Sequence, residues 1–326
     1  MVDWARRVKL VGMKNAIIVL LIIIILAFGG YILINKPKVD DSGNTTQGEP
    51  VDSTPTPVVP TPPPVETPPV EGPVSVIGKS VEDRDISAYN YPPNGEASGP
   101  DDKRILFVGG VHGAYSWNAA LVAYELMDYL AANPSIIPEG VKVTVIPVLN
   151  PDGLAKVVEN PSEKFTAAEI TEPQATQVAG RFNGNEVDLN RNFDCDWQAS
   201  GKWQSKTVSG GSAAFSEPES QAIRDYVEAE KPVAVIAWYS AAGGVYASNC
   251  HNGVLPETLA LVNAYAKASG YPAHENFDFY KITGDMLNWL AKKEIPAMSV
   301  LLTNHTSTDW AKNEAGIKAI LSYYAK

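Results

Sequence analysis

The chain has 326 residues, with 26 basic and 37 acidic side chains and a net charge of −11. An acid excess of that size repels polyanions, which excludes nucleic acid as a partner. The length and a hydrophobic share of 45% leave room for one sizeable core once terminal segments are set aside.

Residues 16–34 carry no charged side chain and are dominated by Ile, Leu and Val, about the length a bilayer-spanning helix requires. Arg6, Arg7, Lys9 and Lys14 precede this run, and Asp40 and Asp41 follow it. That bias puts the N-terminus in the cytoplasm and the remainder outside. Residues 1–15 are therefore read as a cytoplasmic tail and 16–35 as the transmembrane signal anchor of a single-pass cell-membrane protein. A cleaved signal peptide is the rival reading, with Ala27-Phe28-Gly29 as its cleavage site, but the apolar run continues through Tyr31-Ile32-Leu33-Ile34.

Residues 36–73 are rich in Pro, Thr, Val and acids, with Pro62-Pro63-Pro64 and Pro68-Pro69 among them. Such a composition gives an extended extracytoplasmic stalk, the rival being a ligand for a proline-recognition domain. Residues 74–326 then form the globular domain. It holds nearly all of the charge excess, since the first 73 residues contain six basic and seven acidic groups.

Within the domain, Val- and Ile-rich runs at 104–108, 141–148, 233–238 and 297–302 predict strands, and 117–132, 217–229, 256–269, 284–292 and 310–325 predict helices. Continuous apolar strands alternating with helices predict a three-layer α/β fold, its mixed, mostly parallel sheet covered on both faces. Function in such folds collects where loops leave the carboxyl ends of strands. Gly109-Gly110-Val111-His112-Gly113, Asn150-Pro151-Asp152-Gly153 and Tyr239-Ser240-Ala241-Ala242-Gly243-Gly244 are three such exits. Outside the cytoplasm the two cysteines, Cys195 and Cys250, predict a disulfide, two small buried residues being the alternative.

The segment Arg181-Phe182-Asn183-Gly184-Asn185-Glu186-Val187-Asp188-Leu189-Asn190-Arg191-Asn192-Phe193 resembles the zinc metallocarboxypeptidases, the funnelins. Further segments follow in that family's order. Ile77-Gly78-Lys79-Ser80-Val81-Glu82-Asp83-Arg84 resembles its opening strand, the loop around His112 its first metal-ligand loop, and Asn150-Pro151-Asp152-Gly153 its Asn-Pro-Asp-Gly turn. Phe215-Ser216-Glu217-Pro218-Glu219 resembles a helix start. Tyr280-Lys281-Ile282-Thr283-Gly284 resembles the loop that closes over substrate, and Ile295-Pro296-Ala297-Met298-Ser299-Val300-Leu301 the strand that delivers the general base. The resemblance implies a carboxypeptidase-like fold, zinc held by two His and one Glu, a second Glu as base, and peptide or protein C-termini as partners.

At the level of single residues the resemblance divides. His112 stands at the first ligand position, and Asp188 matches the carboxylate that orients this imidazole. The glutamate ligand position holds Ser116, or Tyr115 in an alternative alignment; Tyr239 stands in the second histidine position and Leu301 in that of the base. Leucine has neither a lone pair nor a titratable proton, and one imidazole with hydroxyls is a poor zinc site.

The substrate-gripping groups remain. Asn190 and Arg191 match the carboxylate anchor, Arg181 the arginine that polarises the scissile carbonyl, and Tyr280 the capping tyrosine. Leu287 falls where relatives choose the terminal side chain, which implies an apolar preference. The expected function is a membrane-anchored carboxypeptidase-like protein, degenerate in catalysis, that binds peptide C-terminal carboxylates. Two alternatives stay open: an active zinc carboxypeptidase acting on extracytoplasmic peptides, and an interaction module whose pocket is vestigial. A cleft filled by Tyr115, Tyr239 and Leu301 would mark the last.

Overall fold

A computed structural model describes residues 73–96 and 98–325. The expected tail and anchor and the stalk up to residue 72 lie outside the described residues. Among the described residues no helix is long and apolar enough to cross a membrane.

The strands in chain order are β1 (Val74–Lys79), β2 (Asp85–Tyr91), β3 (Lys103–Val108), β4 (Val141–Ile146), β5 (Ser200–Trp203), β6 (Lys206–Ser209), β7 (Ala234–Ser240), β8 (Gly244–Ala247), β9 (Ala273–His274) and β10 (Ala297–Leu302). The helices are α1 (Trp117–Ala132), α2 (Pro151–Leu154), α3 (Gln174–Ala179), α4 (Pro218–Glu230), α5 (Pro256–Ser269), α6 (Met286–Lys292) and α7 (Trp310–Tyr324). All strands but β5 and β6 form one sheet in the order β1-β2-β4-β3-β7-β10-β8-β9, and β5 and β6 pair separately. The four central strands are parallel; the flanking β1–β2, β2–β4 and β10–β8 pairs are antiparallel.

Side chains that alternate along the strands face two helical layers, as the strand period of two requires. Ile105, Phe107, Ile236, Trp238, Met298 and Val300 pack against α1, α5 and α7. Leu106, Val108, Val235, Tyr239 and Leu301 face α4 and α6. Each large aliphatic side chain buried this way contributes roughly 1.5–3 kcal/mol. On the first face Trp238 lies 5.4 Å from Phe107, ring to ring, and its indole donates to Asn313 at 3.1 Å.

The predicted strands and helices correspond to β3, β4, β7 and β10 and to α1, α4, α5, α6 and α7. β4 stops at Ile146, where Pro147 has no N–H to continue a ladder. α6 begins two residues later than expected, because the Asp285 side chain accepts from Leu287 N and Asn288 N and sets the start of the helix there. Residues 77–84 are not one strand: β1 ends at Lys79, and Ser80 N donates to the Arg84 carbonyl at 2.8 Å across a tight turn.

Candidate functional site

Three parallel strands end side by side. Val108 of β3 pairs with Ala237 of β7, and Tyr239 of β7 pairs with Leu301 of β10. The register therefore sets two of the positions that the resemblance marks as substituted next to each other on the α6 side of the sheet. Above them opens a cleft of about 670 Å³, lined by His112, Arg181, Asn190, Tyr239, Tyr280 and Leu301 among others.

The loop after β3 reaches the cleft through Gly113, whose φ is +42° and where a Cβ would stand 2.5 Å from the Gly180 carbonyl oxygen; only glycine fits that approach. This turn fixes His112, which is 5% exposed with neither ring nitrogen hydrogen-bonded. Burial, with the charges of Arg181, Arg191 and His305, pushes its pKa well below the ordinary value, so the ring is neutral. The expected Asp188–His112 hydrogen bond is not made: Nε2 lies 3.9 Å from Asp188 Oδ1. Asp188 is instead occupied by Arg181, whose Nε and Nη2 both reach Oδ2 at 2.9 Å, and by the Asn190 amide, which donates to Oδ1 at 3.2 Å.

The Arg181 loop is held from several sides. Asn183 accepts from Asn185 N and Val187 N and donates to Glu217 at 2.8 Å and Glu219 at 3.0 Å, which pins the loop to the start of α4. Asn150 donates to the Arg181 carbonyl at 3.2 Å. The Arg181 guanidinium also lies 4.5 Å from the centre of the Trp203 ring and 5.5 Å from that of Tyr115, cation–π geometry that adds to the ion pair. Arg181 Nη1 and Asn190 Nδ2 make no hydrogen bond within the described residues, and both residues line the cleft.

Arg191 does not line the cleft. It is fully buried, its Nε and Nη2 donate to the Lys202 carbonyl at 3.1 and 2.7 Å, and Nη1 donates to the Asn190 carbonyl. The separate β5–β6 hairpin supplies that carbonyl, so the guanidinium expected to anchor a carboxylate is spent on backbone. Tyr280 lies over it at 5.9 Å and borders the cleft, as does Leu287, which is 5% exposed.

Three residues the sequence reading missed also line the cleft: Trp203, Asp285 and His305. His305 Nδ1 stands 3.0 Å from the Tyr115 carbonyl, on a loop 190 residues from its partner, and no periodicity marks it. Cys195 and Cys250 are disulfide-bonded, and their neighbours Asp196 and Asn249 line the cleft. In the chain-entropy picture a bridge across 55 residues is worth up to about 4 kcal/mol.

The family's metal can be tested against these donors. Ser116 Oγ is buried without a partner, and burial aided by the Asp285 charge pushes the Tyr239 phenol well above its ordinary pKa. Neither hydroxyl ionises near neutral pH, so the three ligand positions offer one imidazole and two neutral hydroxyls, which is not a zinc donor set. Among the described residues, the His, Cys, Asp and Glu side chains close enough to share a metal are Cys195, Cys250 and His251. Their sulfurs are joined to each other, and a disulfide offers no thiolate. Leu301, 8% exposed, cannot act as a base.

Comparison with known proteins agrees with this architecture. Carboxypeptidase D of Mus musculus is 26% identical over 185 residues, covering 55% of this chain and 11% of that protein. Gamma-D-glutamyl-L-diamino acid endopeptidase 1 of Lysinibacillus sphaericus is 25% identical over 201 residues, 56% of this chain and 50% of that one. The chain thus spans half or less of either relative. The murein-tripeptide amidase MpaA from Escherichia coli O157 shares the fold, with a TM-score of 0.54 and 19% identity over 78% of this chain and 93% of its own. Residues 72–325 match the Zinc carboxypeptidase family, and on that match the chain belongs to the zinc carboxypeptidase family.

Proposed function

We propose that the chain is a membrane-anchored, non-hydrolysing carboxypeptidase-like receptor that binds peptide C-terminal carboxylates outside the cytoplasm. One observation carries the reading: the cleft is open at about 670 Å³ although Ser116, Tyr239 and Leu301 replace the catalytic groups. A vestigial pocket would have closed on Tyr115, Tyr239 and Leu301. Arg181 Nη1, Asn190 Nδ2 and the Tyr280 hydroxyl are the donors for a carboxylate. Arg181 is pre-oriented by Asp188, which lowers the entropy lost on binding. Catalysis is not part of the proposal, because Leu301 stands at the base position and the ligand positions do not make a zinc donor set.

Anchored by residues 16–35 on the stalk of 36–73, with its N-terminus cytoplasmic, such a domain meets surface peptides at raised local concentration. Calorimetry of the full-length chain in detergent with a tetrapeptide acid and its amide tests the function. The acid should bind at least about tenfold more tightly, since a charge-assisted hydrogen bond contributes roughly 1.5–3 kcal/mol. Equal affinities, or hydrolysis that a chelator stops, would overturn the reading.

A further inference from the structure

The two cysteines stand in matching local settings. Asp196 follows Cys195 and His251 follows Cys250, and both following residues have left-handed backbone, with φ of +53° and +63°. Few residues other than glycine adopt that conformation. The two side chains meet beside the bridge: His251 Nε2 lies 2.8 Å from Asp196 Oδ1, and the two sulfurs and an imidazole nitrogen all fall within 4.8 Å of one another. Residues 55 positions apart in the chain are gathered into one cluster.

Surface electrostatics gives no reason for that arrangement. His251 and Asp196 are both exposed, and an exposed ion pair adds little stability, whereas left-handed backbone at a non-glycine residue is strained. An imidazole that gives one nitrogen to a carboxylate and keeps the other beside thiol sulfur is the arrangement of a metal ligand. With Nε2 engaged by Asp196, Nδ1 is the nitrogen left for a metal. The same exposure lets a cation reach the cluster from solvent. The bridge itself spans 6.2 Å between Cα atoms. Two metal–sulfur bonds of about 2.3 Å at a tetrahedral angle need the sulfurs roughly 3.8 Å apart, a separation that side-chain rotation supplies once the bridge opens.

We propose that Cys195, Cys250 and His251 form a divalent-metal site when the bridge is reduced, with zinc or a similarly borderline-soft cation as its ligand and Asp196 holding the imidazole in place. The site shares no residue with the family's metal position at His112. A dithiol opens it: the Cys195–Cys250 S–S bond breaks, each sulfur gains a proton, and the dithiol leaves as its cyclic disulfide. The cation then displaces both thiol protons, forming two metal–sulfur bonds and one metal–nitrogen bond, and water takes the fourth tetrahedral position. The two thiolates neutralise the charge of the ion. Only thiolates are ligands, so the pair holds a disulfide or a metal and never both. Asp196 and Asn249 line the cleft, which puts this exchange at its rim.

The test adds Co²⁺ to the full-length chain in detergent, either oxidised or pretreated with a dithiol that is then removed without air. The chain has no other cysteine, so a thiolate-to-cobalt charge-transfer band reports on this pair alone. The reduced chain should take up one cobalt with that band and with the intense visible bands of tetrahedral cobalt; the oxidised chain should show neither. His251→Ala should weaken uptake at least about tenfold, and Asp196→Ala about tenfold with the bands unmoved, as loss of a partner that orients a ligand does. Zinc should raise the melting temperature of the reduced chain and leave that of the oxidised chain unchanged. No uptake by the reduced chain, uptake without the charge-transfer band, or equal uptake by the oxidised chain overturns the inference. A band accompanied by a melt that zinc does not move overturns it too, since the thiols of an unfolded chain would give that result. Uptake indifferent to His251→Ala removes the histidine and with it the site, and uptake indifferent to Asp196→Ala overturns the role of Asp196.

Discussion

On one wall of the cleft Arg181, Asp188 and Asn190 are locked by named partners: two guanidinium contacts at 2.9 Å, a backbone cap, and the Asn183 link to Glu217 and Glu219. Beside them, His112 and Ser116 have buried polar atoms with no hydrogen-bond partner among the described residues, and Leu301 offers only carbon. Tyr239 bridges the two, its hydroxyl donating to Asn190 Oδ1 at 3.3 Å. Buried polar groups with partners are held by the fold; buried ones without are kept at a cost. The difference teaches that Arg181, Asp188 and Asn190 are fixed in place by the fold, whereas the polar atoms of His112 and Ser116 are not.

The sharpest way to break that comparison is to remove Asp188. Asp188→Ala leaves the Arg181 guanidinium buried and unpaired, which should cost roughly 3–5 kcal/mol in a denaturant melt. Replacing both partners by apolar residues should cost less than that single change. If Asp188→Ala is nearly neutral, the paired residues are not structural.

The residues without partners should tolerate change. His112→Phe removes two nitrogens that make no hydrogen bond and keeps the ring's bulk, so stability should shift by no more than about 1 kcal/mol. A loss as large as that of Asp188→Ala would mean the imidazole has a role its contacts do not show.

The smallest expected effect lies outside both groups and serves as a control. Burial alone would raise the Asp309 carboxyl, but hydrogen bonds from Thr303, Tyr271 and Ser307 outweigh it and hold the pKa at about 2. The folded-state value is thus below the unfolded one, so the stabilisation is complete above the unfolded pKa and is lost as pH falls from there through about 2. Asp309→Asn should flatten acid unfolding in that window and leave ligand binding at neutral pH unchanged. An unaltered acid profile would remove Asp309 from the account.

Much of the fold is legible in the chain. The central strands β3, β7 and β10 are continuous apolar runs because both their faces are buried, and α1, α5 and α7 are long enough to show their period. The hairpins β1–β2 and β5–β6 and the two-residue β9 are not legible, since short strands with partly exposed faces carry no distinctive pattern, and β8, though buried, has only four residues. Of the cleft, His112, Arg181, Tyr239 and Leu301 are singled out by the resemblance, and all four line it. Trp203, at the end of the short strand β5, and His305, on the loop after β10, escape because their positions are set by tertiary contacts.

What the sequence determined by itself is chemical identity at fixed positions. A leucine at 301 and a tyrosine at 239 cannot supply a base or an imidazole however the chain folds, and the ordered segments around them dictate the architecture. Only the tertiary structure decided partnership, because a hydrogen bond depends on what else competes for the same atom. It turned Arg191 from the cleft to the Lys202 carbonyl, gave Asp188 to Arg181 in place of His112, and left one oxygen of Asp285 without a hydrogen-bond partner among the described residues.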